Sequence, residues 1–362
     1  MKIMFCASCL SYGGAEKNLC IVANHMASKG NDVVICNFNT APTVQKLNEH
    51  IRVIDMPRYT KKGIKRLQQL NFVRKVMKKE KPDVAISFLA YPNFFSAIAG
   101  KLTGTSVIVS ERGDPYRITN KIEKWMYSKY PLASGAVFQT EMARDYFPES
   151  LRKKGVVIAN PVVLKDDTIF ADYDNAEKTI AYSARFEVVQ KRQDLMLDAF
   201  RLVLEKHPEY VLKFLGDGPD EPRMKEYAKA LGIEESVRFC GMSKQVLKDI
   251  SSSELFVLSS DYEGIPNALL EAMSIGLPCV STDCSPGGAR MLIRDGENGL
   301  LVPCGDAEAL AAAVCRMIED RDFAIKCGKE AAKVKERFSL PLVLSEWETY
   351  VCRIANEARN KK

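Results

Sequence analysis

The sequence predicts an α/β protein made of two Rossmann-like domains, and three observations carry that expectation. Short apolar strands alternate with helical stretches from Lys2 onward, and the alternation restarts at Thr179. Strands separated by helices give parallel, doubly wound sheets. At 362 residues the chain exceeds one comfortable core. The polar stretch 161–176, with Asp166, Asp167, Asp172 and Asp174, reads as a linker between halves of similar size.

In the first half, Lys2-Ile-Met-Phe-Cys-Ala7 is a short apolar strand. The turn Ser11-Tyr-Gly-Gly-Ala-Glu-Lys17 opens a helix whose apolar positions Leu19, Val22, Ala23 and Met26 recur at helical spacing, ending at Gly30. Residues 32–36 make a second strand. Residues 84–88 make a strand before a helix, 107–110 and 135–138 two more strands, and 140–146 another helix.

In the second half, strand 179–182 leads to a helix over 193–205, then strand 210–215 and the turn Gly216-Asp-Gly-Pro219. A helix over 222–231 precedes strand 237–239 and Gly241. Strand 255–258 runs into Asp261-Tyr-Glu-Gly-Ile-Pro-Asn-Ala-Leu-Leu-Glu271, the most informative segment of the chain. Pro266 fits a first helical position, where its missing N–H costs nothing. The helix stops at Gly276, with Pro278 beyond it.

The N–H groups of Gly264, Ile265, Asn267 and Ala268 gather at that helix start, and with the macrodipole they attract an anion such as a diphosphate. Glu263, just before the helix, can accept hydrogen bonds from sugar hydroxyls. Glu271 leans back toward the N-terminus, and its two oxygens match a vicinal diol such as that of ribose. Both glutamates could merely complement the helix dipole. The Gly-Ile-Pro-Asn between them and Gly-Leu-Pro-Cys-Val280 after them favour a site for a sugar joined to a nucleotide diphosphate.

Apolar and charged fractions of 46% and 27% are those of an ordinary globular protein. The net charge of +6 hides an asymmetry: residues 1–160 hold 25 Lys and Arg against 12 Asp and Glu, and the remainder 27 against 34. The halves therefore face different partners. Eleven cysteines without framework spacing suggest reduced thiols and a cytoplasmic setting. Cys6-Ala-Ser-Cys9 straddles a strand end, and with three histidines in the chain it reads as structural rather than zinc-binding. No secretory signal is evident at the start, and the uncharged run 84–100 falls short of a spanning length.

Several elements, in order, resemble a family-4 glycosyltransferase of GT-B architecture along nearly all of the chain: Gly13-Gly-Ala-Glu16, Ser183-Ala-Arg-Phe186 with Lys191, Leu215-Gly-Asp-Gly-Pro219, Val237-Arg-Phe-Cys-Gly241, the Glu263/Glu271 pair, and Asp295-Gly-Glu-Asn-Gly-Leu-Leu-Val-Pro303. The resemblance implies two Rossmann-like domains facing a central cleft: an acceptor-binding domain over 1–162, a nucleotide-sugar domain over 176–339, and a final helix, 340–362, crossing back to the first. It implies transfer of a sugar from a nucleotide donor with retention of anomeric configuration, in the building of surface polysaccharide or lipid-linked glycan. Arg185 and Lys191 would neutralise the diphosphate, one as a planar fork and one as a point charge. Gly13 and Gly14 would let the backbone approach the phosphates. Glu263 would hold donor-sugar hydroxyls, Gly264, Ile265, Pro266 and Asn267 would lie near sugar and phosphate, and Glu271 would hold the ribose. The Phe239–Met242 turn, with Met242, would line the base.

Many relatives carry a histidine after the strand matching 107–110, whereas this chain has Ser110-Glu-Arg-Gly-Asp-Pro115. That resembles a subgroup that often uses UDP-sugars. Glu111 and Arg112 read either as acceptor-side residues or as a salt-bridged structural loop. The expected chemistry is a front-face displacement: Arg185, Lys191 and helix N–H groups stabilise the departing diphosphate, which takes the proton of the incoming hydroxyl. The D-x-D Asp172-Tyr-Asp174 lies in the linker and reads as solvated charge, so no metal and no cofactor beyond the co-substrate is expected.

The stretch 58–81 carries ten Lys and Arg against one acid, with Ile64, Leu67, Leu70, Val73 and Met77 spaced for a helix face. It reads either as a contact for anionic lipid headgroups or as a solvated face on a packed helix. A dinucleotide-dependent oxidoreductase is disfavoured because the first turn lacks G-x-G-x-x-G. Nucleic acid is disfavoured because no stacking aromatic motif interleaves the basic residues. Another GT-B enzyme, an epimerase or phosphorylase, remains a rival.

Overall fold

A computed structural model describes residues 1–10, 13–38, 46–57, 65–164, 166 and 168–360. It divides into two compact units, Met1–Asn160 with Pro341–Lys362, and Pro161–Leu340.

In the first unit the strands are β1 (Lys2–Ala7), β2 (Asp32–Asn37), β3 (Arg52–Asp55), β4 (Val84–Phe88), β5 (Val107–Ser110), β6 (Gly135–Phe138) and β7 (Gly155–Val157). They form one sheet in the order β3-β2-β1-β4-β5-β6-β7, and each pair is parallel. The helices are α1 (Gly14–Ser28), α2 (Lys65–Glu80), α3 (Ala90–Thr103), α4 (Lys121–Tyr127), α5 (Glu141–Asp145) and α6 (Glu149–Arg152). β1 and β4 are neighbours that lead away in opposite directions, so the crevice at their carboxyl ends is the topological switch point. Gly13 and Gly14 follow β1 there. At the end of β4, Leu89 holds φ +74°, a left-handed torsion for a residue with a Cβ.

The second unit repeats the design with β8 (Glu177–Ser183), β9 (Val211–Leu215), β10 (Val237–Phe239), β11 (Ser253–Leu258), β12 (Cys279–Thr282) and β13 (Leu300–Val302). The order is β10-β9-β8-β11-β12-β13, all parallel. Its switch point lies between β8 and β11. Its helices are α7 (Val188–Lys191), α8 (Gln193–Leu204), α9 (Glu221–Ala230), α10 (Val246–Ser251), α11 (Asn267–Ser274), α12 (Gly288–Leu292), α13 (Ala307–Glu319), α14 (Arg321–Ala331) and α15 (Val334–Arg337). Ile180, Leu212, Leu255 and Val280 from the strands meet Met196, Phe200 and Val203 of α8 in its core.

The last helix, α16 (Leu340–Arg359), packs within the first unit. Trp347 stacks on Phe88 at 5.6 Å. The Tyr350 hydroxyl accepts from the Ala136 N–H at 2.8 Å and donates to the Lys154 carbonyl at 2.5 Å. Residues 161–176, polar in composition, are fastened to the second unit. The Ala171 N–H donates to the Ile275 carbonyl at 2.8 Å, and the Tyr173 hydroxyl donates to that of Gly276 at 2.5 Å. Asp167 lies outside the described residues.

Two expectations change in detail. Pro266 caps α11 from outside, with ψ 98°, and Asn267 is the first helical residue. The apolar stripe of the basic helix is largely spent on packing. Val73 and Met77 are buried and Leu70 leans on the same core, while Leu67 is exposed. Ile64 and the rest of 58–64 lie outside the described residues. Among the described residues no helix is long and apolar enough to cross a membrane.

Candidate active site

The second unit gathers its polar machinery at the carboxyl ends of β8 and β11. Beyond β8, the segment Ala184-Arg185-Phe186 is clamped by the turn that follows β9. The Ala184 N–H donates to the Leu215 carbonyl at 3.1 Å, and that of Phe186 to Asp217 at 2.8 Å. The turn must be glycine at two places. A Cβ on Gly216, at φ +139°, would sit 2.1 Å from the Ala184 carbonyl oxygen, and one on Gly218, at φ +157°, 2.5 Å from that of Phe186. The Gly-Asp-Gly motif therefore fixes the path of the Arg185 loop.

From there the chain makes the single turn of α7 and reaches Lys191. Its carbonyl accepts from the Tyr182 hydroxyl at 2.5 Å and from Ser259 Oγ at 3.1 Å. Arg192, left-handed at φ 52°, separates α7 from α8, and its guanidinium reaches Asp261 Oδ1 at 3.1 Å. The Asp261 N–H donates to the Gln190 carbonyl at 2.9 Å. The loops leaving β8 and β11 are thus tied together by side chains and by backbone.

Glu263 is the residue this lacing positions. Its carboxylate is buried and accepts from Lys191 Nζ at 2.5 Å, from Ser260 Oγ at 3.0 Å and from Gln190 Nε2 at 3.4 Å. Its N–H donates to the Ser285 carbonyl at 2.8 Å. Gly288 closes the other side, since a Cβ there would fall 1.6 Å from the Gly264 carbonyl oxygen. On α11, Leu269, Leu270 and Met273 face the core, while Asn267, Ala268 and Glu271 share the half-buried face. Ile265 and Pro266 are buried beside Glu263.

The structure therefore brings Lys191, Glu263, Gly264, Ile265, Pro266, Asn267 and Glu271 to one crevice. Arg185 leaves the same edge, but its guanidinium is exposed and paired with Glu187 at 3.0 Å. Met242 is exposed in the turn after edge strand β10, and that turn is held by the Gly216 N–H donating to the Gly241 carbonyl at 2.8 Å. Gln190 and Ser260, which complete the ligation of Glu263, were not anticipated from sequence. Each is a single polar residue outside any motif, and only the folded loops bring it to the carboxylate.

The remaining residues belong to the first unit. Gly13 precedes α1 with φ −159°, extended backbone open to any residue, and a Cβ on it would meet only the movable carboxylate of Glu16. Gly14 is the first helical residue. Glu111 and Arg112 sit in a buried polar network after β5. Glu111 accepts from the N–H groups of Gly113 at 2.9 Å and Arg112 at 3.0 Å, and from the Tyr130 hydroxyl at 3.1 Å. Burial pushes its carboxyl up. Arg112 donates to Ser110 Oγ at 2.9 Å and Asn160 Oδ1 at 3.1 Å. Its guanidinium lies beside the stacked Phe88 and Trp347 rings, 4.8 and 5.4 Å from their centroids, and burial draws it down to about 9. Asp172 spends its carboxylate on a turn, accepting from the Asn175 N–H at 3.0 Å.

Residues 166–334 match the family described as glycosyl transferases group 1, and residues 12–166 match glycosyltransferase family 4. The chain is 27% identical, over 98% of its length and 99% of the relative's, to an N-acetyl-D-galactosaminyltransferase of Campylobacter jejuni whose name specifies an undecaprenol-diphosphate-linked glycan. It is 29% identical over 74% of its length to an exopolysaccharide phosphotransferase of Streptomyces coelicolor, of which it spans 28%. Among solved structures, HepE of Anabaena in complex with UDP superposes with a TM-score of 0.79 at 19% identity, over 98% of this chain and 100% of that one. That likeness establishes the two-domain GT-B fold.

Proposed function

We propose that this chain, which belongs to the group 1 glycosyl transferases, moves a hexose or N-acetylhexosamine from a UDP-sugar to a glycan or lipid-linked acceptor, with retention of configuration, in surface polysaccharide or glycolipid biosynthesis. The observation that carries this reading is the meeting of Lys191 and Glu263 at the switch point of the second unit. A cation there suits a pyrophosphate, and a carboxylate held by three donors suits sugar hydroxyls. The UDP bound by HepE and the lipid-linked glycan named for the Campylobacter enzyme favour these choices of donor and acceptor.

In this mechanism the pyrophosphate draws Lys191 away from Glu263 and takes Arg185 as a second cation. Glu263, still held by Ser260 and Gln190, turns its freed lone pairs to the sugar. Glu271 binds the ribose diol, the Met242 turn borders the base, and the backbone from Gly264 to Asn267 lies along sugar and phosphate. We assign contact with the phosphates to Gly13 and Gly14 as well. The bond from the anomeric carbon to phosphate oxygen breaks with both electrons going to the phosphate. The acceptor oxygen then bonds to the same face of that carbon, and a phosphate oxygen takes the hydroxyl proton. No step calls on a metal. Eleven cysteines without framework spacing fit a reducing, cytoplasmic compartment.

Incubating the protein with UDP-, GDP- and ADP-sugars, with and without an added lipid-linked acceptor, tests the reading. It expects nucleotide release fastest from a UDP-sugar, accelerated by acceptor, with an α-linked product from an α-linked donor. An inverted product, or no nucleotide release from any donor, would overturn it. Contact of 58–81 with an anionic membrane would rest on its basic charges, because Val73 and Met77 of the apolar stripe are buried. Sedimentation with anionic vesicles at low salt, compared with neutral ones, is expected to show selective binding; equal partitioning would remove the idea.

A further inference from the structure

At the far end of α8 from Lys191 stands a cluster of side chains that the transfer reaction does not use. His207 follows α8, and its N–H donates to the Val203 carbonyl at 2.8 Å. Its Nε2 lies 3.1 Å from Glu319 Oε1. Cys315 is one helical turn before Glu319 on α13, so the two share a face. The imidazole nitrogen, the thiol sulfur and the carboxylate oxygen all lie within 4.8 Å of one another. Among the described residues no other three His, Cys, Asp or Glu side chains gather in this way.

We propose that His207, Cys315 and Glu319 bind a zinc-class divalent cation that clasps the carboxyl ends of α8 and α13 together. Nitrogen, sulfur and oxygen donors suit Zn²⁺, which takes four ligands in a tetrahedron, leaving one position here for water. Mg²⁺ and Ca²⁺ prefer sets made of oxygen and gain nothing from the thiol. Independent support comes from the helices: α8 and α13 both finish here, and each carboxyl end carries partial negative charge that favours a cation. The nitrogen and oxygen already stand at about the separation of two ligands on one tetrahedral ion, so closure asks only for small side-chain rotations of Cys315 and His207.

Binding releases one proton. The Cys315 thiol gives up its hydrogen to solvent as sulfur bonds to the metal, while the imidazole nitrogen and the carboxylate oxygen bind through lone pairs. Burial raises that thiol, and Lys206 opposes the rise, so the metal supplies the charge that makes the thiolate favourable. The site is separated from the donor crevice by α8, whose 12 residues span roughly 18 Å. It acts on the rigidity of the second unit and leaves the transfer chemistry metal-free.

Titrating the full chain with Co²⁺, under anaerobic conditions, tests the proposal. One equivalent is expected to give a thiolate-to-cobalt charge-transfer band that Zn²⁺ abolishes, while Zn²⁺ also raises the melting temperature. Cys315→Ser should lose the band, and His207→Gln and Glu319→Gln should each weaken Co²⁺ binding by about tenfold or more. The last two alter side chains outside the core and serve if the serine protein fails to fold. No band, or a band undiminished in these variants, would overturn the site and leave an ordinary histidine–glutamate pair beside a core cysteine. That failure would not touch the donor crevice, which the nucleotide-sugar assay reads separately.

Discussion

Lys191 Nζ and Glu263 Oε1 lie 2.5 Å apart although 72 residues separate them in sequence. The cation ends the single turn that follows β8, and the carboxylate follows β11. Neither depends on the other for its place. The backbone of Lys191 is pinned by Tyr182 and Ser259, and the carboxylate of Glu263 keeps Ser260 and Gln190. The contact is a switchable one between two groups, each positioned on its own account.

Removing either side chain should therefore abolish turnover without unfolding the protein. Lys191→Ala and Glu263→Ala are each expected to lower kcat by about 10²- to 10³-fold, the usual cost of one preorganised electrostatic contact to a transition state. Lys191→Ala should also raise donor KM, since the pyrophosphate loses a cation in the ground state. Radiolabelled sugar transfer measures the rates and circular dichroism the fold. Near-normal rates would reject both roles.

The Gly-Asp-Gly turn makes a structural prediction about the same site. At Gly216 both the torsion and the space forbid a side chain, with φ +139° and a carbonyl 2.1 Å from the added Cβ. Gly216→Ala should cost upwards of about 2 kcal/mol and displace the Arg185 loop. Gly232→Ala is the control: its φ of +70° is left-handed but nothing lies within 4 Å, so it should cost about 1 kcal/mol. Urea denaturation of the two variants compares them directly. Equal stability losses would show that the close approach to Ala184 is relaxed in solution.

What the sequence discloses here is set by the range of the forces involved. Alternating strands and helices announce two doubly wound sheets because burial on both faces requires continuous apolar runs. The outer strands β3, β7 and β13 are only three or four residues long, too short to stand out as apolar runs, and were not foreseen. The segment from Glu263 to Glu271 is legible because proline, glycine and a helix start act locally. Gln190 and Ser260 are not legible, since they approach Glu263 only once β8 and β11 lie side by side. The Glu111-Arg112 pair was open to two readings, and sequence could not decide between them because the stacking partner Trp347 lies more than 200 residues away.

That stacking makes Arg112 a packing element of the first unit. Arg112→Ala would leave a void beside the stacked Phe88 and Trp347 rings and strip a donor from Asn160, with an expected loss of about 3 kcal/mol. Glu111→Gln should be far milder, because the amide oxygen can still accept from Gly113 and Arg112 while its nitrogen donates to Tyr130. Denaturant unfolding and acceptor KM should be measured together. A stable Arg112→Ala protein whose acceptor KM rises more than tenfold would place the guanidinium on the acceptor instead.

A pH effect is expected at the opposite edge of the same sheet. Glu80, at the end of α2, accepts from Lys2 Nζ at 2.8 Å and Arg52 Nη2 at 2.9 Å, joining the starts of β1 and β3. These hydrogen bonds hold its carboxyl down to about 2 from an ordinary 4.5. A carboxyl lowered in the native state stabilises it fully above the unfolded value, and the contribution fades as pH falls from about 4.5 toward 2. Arg52 is half exposed, so screening reduces the effect to roughly 1–2 kcal/mol. Glu80→Gln should be less stable than the parent by that amount at pH 7, with the gap closing as the pH approaches 3, and should keep normal transfer activity. Urea unfolding at several pH values measures the gap; one that stays constant between pH 7 and pH 3 would mean that the carboxylate is not the source of the stability.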